Sequence, residues 1–134
     1  MKYIIIILIF NFLLIGSNLA NNLKMIPEEN WKFFSDQVMG GKSTGKIEFY
    51  SQKQKYLRMS GNVTTENNGG FIQFRYKIRK KISNNIKFLQ IISRGNNEKY
   101  YIHLRTTGTL LPWQYYAKEF KVSRKWEKIT INLS

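Results

Sequence analysis

The sequence predicts an all-β fold, an antiparallel β-sandwich or jelly roll, and three observations lead there. Short segments alternate apolar and polar side chains at the two-residue period of a strand, as in Ile129, Ile131 and Leu133 against Lys128, Thr130 and Asn132. Polar turns rich in Gly, Asn and Ser separate these segments, two of them built on the paired glycines Gly40-Gly41 and Gly69-Gly70. Beyond the N-terminal segment no stretch carries a helical period, and no strand-helix-strand rhythm marks a parallel sheet.

The N-terminus reads as a targeting segment. Lys2 supplies a positive start, residues 3–15 are apolar except for Asn11, and Gly16, Ser17 and Ala20 offer small residues for cleavage. That run is 13 residues long, short of the roughly 20 that a spanning helix needs. A cleaved signal peptide over residues 1–20 is therefore expected in preference to an N-terminal membrane anchor, and with it export to the periplasm or the cell exterior. Residues 21–30 form a polar lead-in with one proline, and residues 31–134 remain for a single domain with one core.

Within that domain Trp31, Phe33 and Phe34 make an aromatic patch, the expected first core contact. Residues 36–45 follow as a shaped loop whose glycines supply positive φ or close approach, while Asp36, Ser43 and Thr44 can bond nearby backbone groups. This loop reads either as a structural turn or as a ligand-facing one. Strands are expected over 47–50 and 56–63, joined by the turn 51–55. Residues 64–70 repeat the polar, double-glycine device before a strand over 71–78, which places Ile72, Phe74 and Tyr76 on one face. The basic stretch 79–85 is a connection, 88–92 an apolar central strand, and 94–97 a turn. In the strand 99–105 one face carries Tyr100, Ile102 and Leu104, the other Tyr101, His103 and Arg105. A loop over 106–112 leads to strands at 114–120 and 127–133, joined through residues 123–126. The glycine corners are expected at the two ends of the sandwich.

The formal net charge is +14, and +13 once Lys2 leaves with the signal. A basic balance points to nucleic acid or an anionic membrane surface. Export argues against nucleic acid, and the cations are spread over most strands, so a solvated surface is the plainer reading. The densest cluster, Arg75, Lys77, Arg79, Lys80 and Lys81, leaves an anionic membrane surface as a further reading. With no cysteine, the chain has neither disulfides nor thiolate nucleophiles. His103 is the sole histidine and Asp36 the sole aspartate, so neither a metal site nor a Ser-His-Asp triad is expected. No catalytic residue and no cofactor are expected.

Trp31 followed by Asp36-Gln37-Val38-Met39-Gly40-Gly41-Lys42-Ser43 resembles the W-x4-D-x-V-M-G-G-x-S signature of the complex I intermediate-associated protein 30 family. Ser60-Gly61-Asn62-Val63, then Glu66-Asn67-Asn68-Gly69-Gly70-Phe71, is similar to that family's G-x-V and N-N-G-G-F segments. Arg75, Ser93-Arg94-Gly95 with Tyr100, Arg105, Tyr115 with Ala117 and Phe120, and Trp126 extend the likeness over about residues 31–134. The resemblance implies a galactose-binding-like β-sandwich and a non-enzymatic assembly or binding role, after the mitochondrial assembly factor that names the family. The export signal departs from that mitochondrial member. Family members also continue past the strand matching residues 129–133, so the resemblance implies a chain incomplete at its C-terminus, with an unpaired edge.

Binding is expected through a protein partner or assembly intermediate, with carbohydrate as the alternative ligand. The candidate binding residues are Asp36 and Ser43 in the shaped loop, Arg94, and the row Tyr101, His103, Arg105 with Trp113 and Tyr115. Rings in that row stack on the apolar face of a sugar while Arg gives fixed hydrogen bonds, or else the row is a second core face. Arg94 and Arg105 alternatively bond loop carbonyls. Trp31, Gly40, Gly41, Gly69, Gly70 and Trp126 are read as scaffold.

Overall fold

A computed structural model of the chain describes residues 2–9, 12–16, 19–23, 28–78, 87–106, 111 and 114–133. In chain order the strands are β1 (Lys2–Ile9), β2 (Phe12–Gly16), β3 (Leu19–Leu23), β4 (Trp31–Ser35), β5 (Thr44–Tyr50), β6 (Tyr56–Val63), β7 (Ile72–Tyr76), β8 (Phe88–Arg94), β9 (Lys99–Leu104), β10 (Tyr116–Lys121) and β11 (Glu127–Asn132). Single 3-10 turns at Glu28–Asn30, Asp36–Met39 and Glu66–Asn68 are the remaining regular elements, and no α-helix occurs among the described residues.

The largest sheet has five strands in the order β11-β8-β1-β6-β5, every neighbour antiparallel. The pairs β4-β7 and β9-β10 lie apart from it, as does the hairpin β2-β3. Between them sits the core. Met59, Leu89, Ile91 and Ile131 from the large sheet and Ile72 from β7 are buried together, with Phe33, Phe74, Tyr100, Ile102, Leu104 and Phe120 packed on them. Strands from two separate sheets closing one apolar layer make a sandwich.

Every strand expected from alternation is present, with ends shifted by up to three residues, as where β5 begins at Thr44 and not at position 47. Alternation works because burying one face of a pleated strand sorts odd from even positions, and Tyr100, Ile102 and Leu104 do turn inward while Tyr101 and His103 are exposed. Missed as a strand was β4, read as an aromatic patch. Its pairing with β7 sets Trp31 opposite Tyr76 and Phe33 opposite Phe74, and the Trp31 ring stands 4.9 Å from Tyr76 and 5.4 Å from Phe74. Cross-strand aromatic contact, invisible in five residues of sequence, is what makes it a strand.

Residues 2–9, read as the core of a signal peptide, form β1 between β6 and β8. Part of the basic cluster (Arg79, Lys80, Lys81) and Trp113 lie outside the described residues.

Candidate functional site

The two double-glycine loops were expected at opposite ends of the sandwich. They meet instead, because both close on Asp36. At the end of β4 the chain makes one 3-10 turn, Asp36–Met39, in which the Gln37 amide donates to the Ser35 hydroxyl and which Gly40 ends in the left-handed region at φ +87°. That turn points the Asp36 side chain inward, where it is wholly buried.

There the carboxylate accepts from the Ser43 amide (2.9 Å, Oδ1) and, through Oδ2, from the Ser43 hydroxyl (2.5 Å), the Gly70 amide (2.6 Å) and the Phe71 amide (3.3 Å). Its backbone completes the knot, with the Asp36 amide donating to the Phe71 carbonyl at 3.1 Å and its carbonyl accepting from Gly41 at 2.9 Å. Burial pushes the Asp36 carboxyl up, but the Ser43 hydroxyl and the Gly70, Ser43 and Phe71 amides outweigh it, so the group titrates below the usual carboxylate range. A carboxylate saturated by four donors in the interior is a structural anion.

Glycine is required beside it. A Cβ on Gly41 or on Gly69 would overlap the Asp36 carboxyl group, so both glycines are there for close approach. In the second loop Asn67 and Asn68 take positive φ, which Asn tolerates, and the Asn67 amide nitrogen reaches the Gly40 carbonyl at 3.2 Å. Thr64 N–H donates to the Ser43 hydroxyl at 3.1 Å, and an exposed ion pair, Lys42 to Glu66 at 2.9 Å, bridges the loops outside.

Asp36 and Ser43, candidates for a ligand-facing loop, are thus both fully buried and spend their polar groups on the protein itself. What the loop turns outward is Val38, 71% exposed, and Met39, 67% exposed. Sequence reading passed over this pair, although two apolar residues inside a glycine-bounded turn were a signal available to it.

The other candidates fall elsewhere. Tyr101 and His103 lie on the outer face of β9, with Arg105 just past its end, and Tyr115, just ahead of β10, stacks its ring on His103 at 4.2 Å between centroids. Burial pushes the His103 pKa down. Tyr101 donates to Glu119 at 2.9 Å across the strand pair, and Lys99 bonds the same carboxylate at 2.9 Å. Arg105 donates to the Leu111 carbonyl at 3.4 Å, in keeping with the loop-bonding alternative. Arg94, on β8, stands apart from this row, its guanidinium 5.0 Å above the Trp126 ring. Trp126 also meets Tyr56 edge-on at 6.0 Å, and Trp31 is buried.

An all-β sandwich whose two glycine-paired loops are tied through one buried aspartate defines the class: a loop-bearing β-scaffold. Residues 21–134 match the family described as Complex I intermediate-associated protein 30 (CIA30), and the chain belongs to that family. Among curated proteins and among solved structures, none matches the chain.

Proposed function

We propose that this chain is a non-enzymatic, exported binding domain that acts on a protein partner or an assembly intermediate. One observation carries the reading. The family's signature loop is held rigid by Asp36 and presents Val38 and Met39 to solvent, 71% and 67% exposed. Apolar side chains on a pre-organised support suit a protein surface, since little entropy is lost when they are buried there. Membership of a family named for an assembly intermediate supports the same reading. The signal-like pattern of residues 1–20 supports export.

The test is capture of partners by the full chain from its native extract, in parallel with the Val38→Asp, Met39→Asp double variant. Proteins retained by the parent and lost by the variant are expected; an identical set on both overturns the reading.

A carbohydrate-binding reading is favoured by a separate observation, the exposed Tyr101 beside the stacked His103 and Tyr115 on the outer face of β9 and β10. Selective glycan binding, weakened in Tyr101→Ala and lost in Arg105→Ala, would replace the protein-partner reading with this one. Salt-sensitive binding to anionic vesicles, untouched by either change, would favour the membrane-surface alternative.

A further inference from the structure

We propose that the space between β6 and β8 is a strand-acceptor groove, occupied here in cis by β1 and suited in trans to an apolar partner strand that carries one acidic residue between Arg58 and Arg94. The proposal rests on the protein-binding and export readings above, since removal of residues 1–20 is what vacates the groove.

Among the described residues the sheet order makes β1 the strand that joins two halves. It pairs with β6 from Lys2↔Val63 to Leu8↔Leu57 and with β8 from Ile7↔Arg94 to Ile9↔Ile92. Without it, β5-β6 and β8-β11 are separate pairs facing one another across two strand spacings, about 10 Å. Two inner edges would then carry unpaired amides and carbonyls. The large-sheet share of the core would also be divided, with Leu57 and Met59 on one side and Leu89, Ile91 and Ile131 on the other. An extended segment antiparallel to both walls is the one occupant that satisfies both edges.

The walls also specify what that strand should carry. Position 7 pairs with Arg58 on one side and Arg94 on the other, so one register row sets an arginine on each flank of a single residue, the Arg94 guanidinium resting 5.0 Å over the Trp126 ring. In β1 that residue is Ile7, which offers no charge. Arg58 Nε is buried without a hydrogen-bond partner among the described residues, and Glu48, opposite Arg58 on β5, bonds Lys46 at 2.9 Å. At position 8, next in the strand, the register partner on β8 is Ser93, whose buried hydroxyl is likewise unpartnered among the described residues. An isoleucine-leucine step leaves both groups unsatisfied, whereas a carboxylate followed by a small polar residue would satisfy them. The N-terminal segment fills the groove through its backbone pairing, and the polar atoms of the walls call for a different sequence.

The experiment uses the full chain, which has no native cysteine. Ile5→Cys with Ser60→Cys, register partners, should form a disulfide under mild oxidation in the folded protein, while Ile5→Cys with Lys128→Cys should not. Next, Ile6→Pro weakens β1, and labelled peptides of residues 2–9 carrying Ile7→Glu or Ile7→Lys are titrated into that chain and followed by anisotropy. The Glu peptide should bind at least about tenfold tighter than the Lys peptide, and Arg58→Gln with Arg94→Gln should erase the difference. If Ile6→Pro does not fold alone, binding is read as folding restored by the Glu peptide. A cysteine pair that stays reduced, peptides that bind equally, or no restoration each overturns the groove. These failures leave the Val38 and Met39 result untouched, so the two readings fall separately. A mature exported chain whose mass still includes Lys2 overturns the trans role.

Discussion

The amide of Gly70 donates to Asp36 Oδ2 at 2.6 Å, joining positions 34 apart in the chain. Because the same carboxylate holds Ser43 and faces the bare Cα positions of Gly41 and Gly69, the two loops behave as one object with a buried anion at its centre. Rigid presentation of Val38 and Met39 follows from that knot.

Substituting the anion should therefore loosen both loops at once. Asp36→Asn replaces acceptors with a donor that faces the Gly70 or Ser43 amide, and its melting temperature should fall by roughly 10 °C or more. Ser43→Ala removes one donor to the carboxylate and the acceptor of Thr64, and should cost about 1–3 kcal/mol in denaturant unfolding. Equal stability of Asp36→Asn and the parent would refute the central place given to the carboxylate.

Acid should act through the same residue. Asp36 titrates below its ordinary 3.8 in the folded chain, so its contribution is full above that pH and is lost as the pH falls through the lower folded value. The parent's urea midpoint should drop more steeply between pH 4 and pH 2 than that of Asp36→Asn. Parallel curves would mean that the carboxylate is not held ionised.

The glycines should rank by geometry. Gly40→Ala meets no atom within 4 Å and suffers only its φ of +87°, about 1–2 kcal/mol. Gly41→Ala and Gly69→Ala drive a methyl into a carboxyl fixed by four hydrogen bonds and should lose about 3 kcal/mol or more. Finding Gly40→Ala the worst of the three in chemical unfolding would reverse this account.

By contrast, Val38→Asp with Met39→Asp should leave stability within about 0.5 kcal/mol of the parent, because both side chains are already in water. Circular dichroism melts should superimpose. A large drop would show that the pair packs on the protein itself and is not free for a partner.

Much of the fold was legible in the chain. Alternation in residues such as Leu57 and Met59, or Ile129 and Ile131, reports which face is buried, since a period of two leaves no third choice. The site was legible only in part. The double glycines announced special backbone, yet neither their φ angles nor the carboxyl they accommodate can be read from neighbours, and Asp36 looked as free to face a ligand as to face the core. Arg94 and Tyr101, grouped as binding candidates, sit on different sheets.

The sequence by itself determined the strand faces, the glycine-bounded turns and the family, because each rests on residues close together or on a pattern of residue types. Tertiary structure alone decided that two loops share one aspartate, that Val38 and Met39 are what they display, and that residues 2–9 lie between β6 and β8. Those outcomes depend on contacts between distant segments, where hydrogen-bond saturation and core closure choose among partners that no local stretch of chain can name.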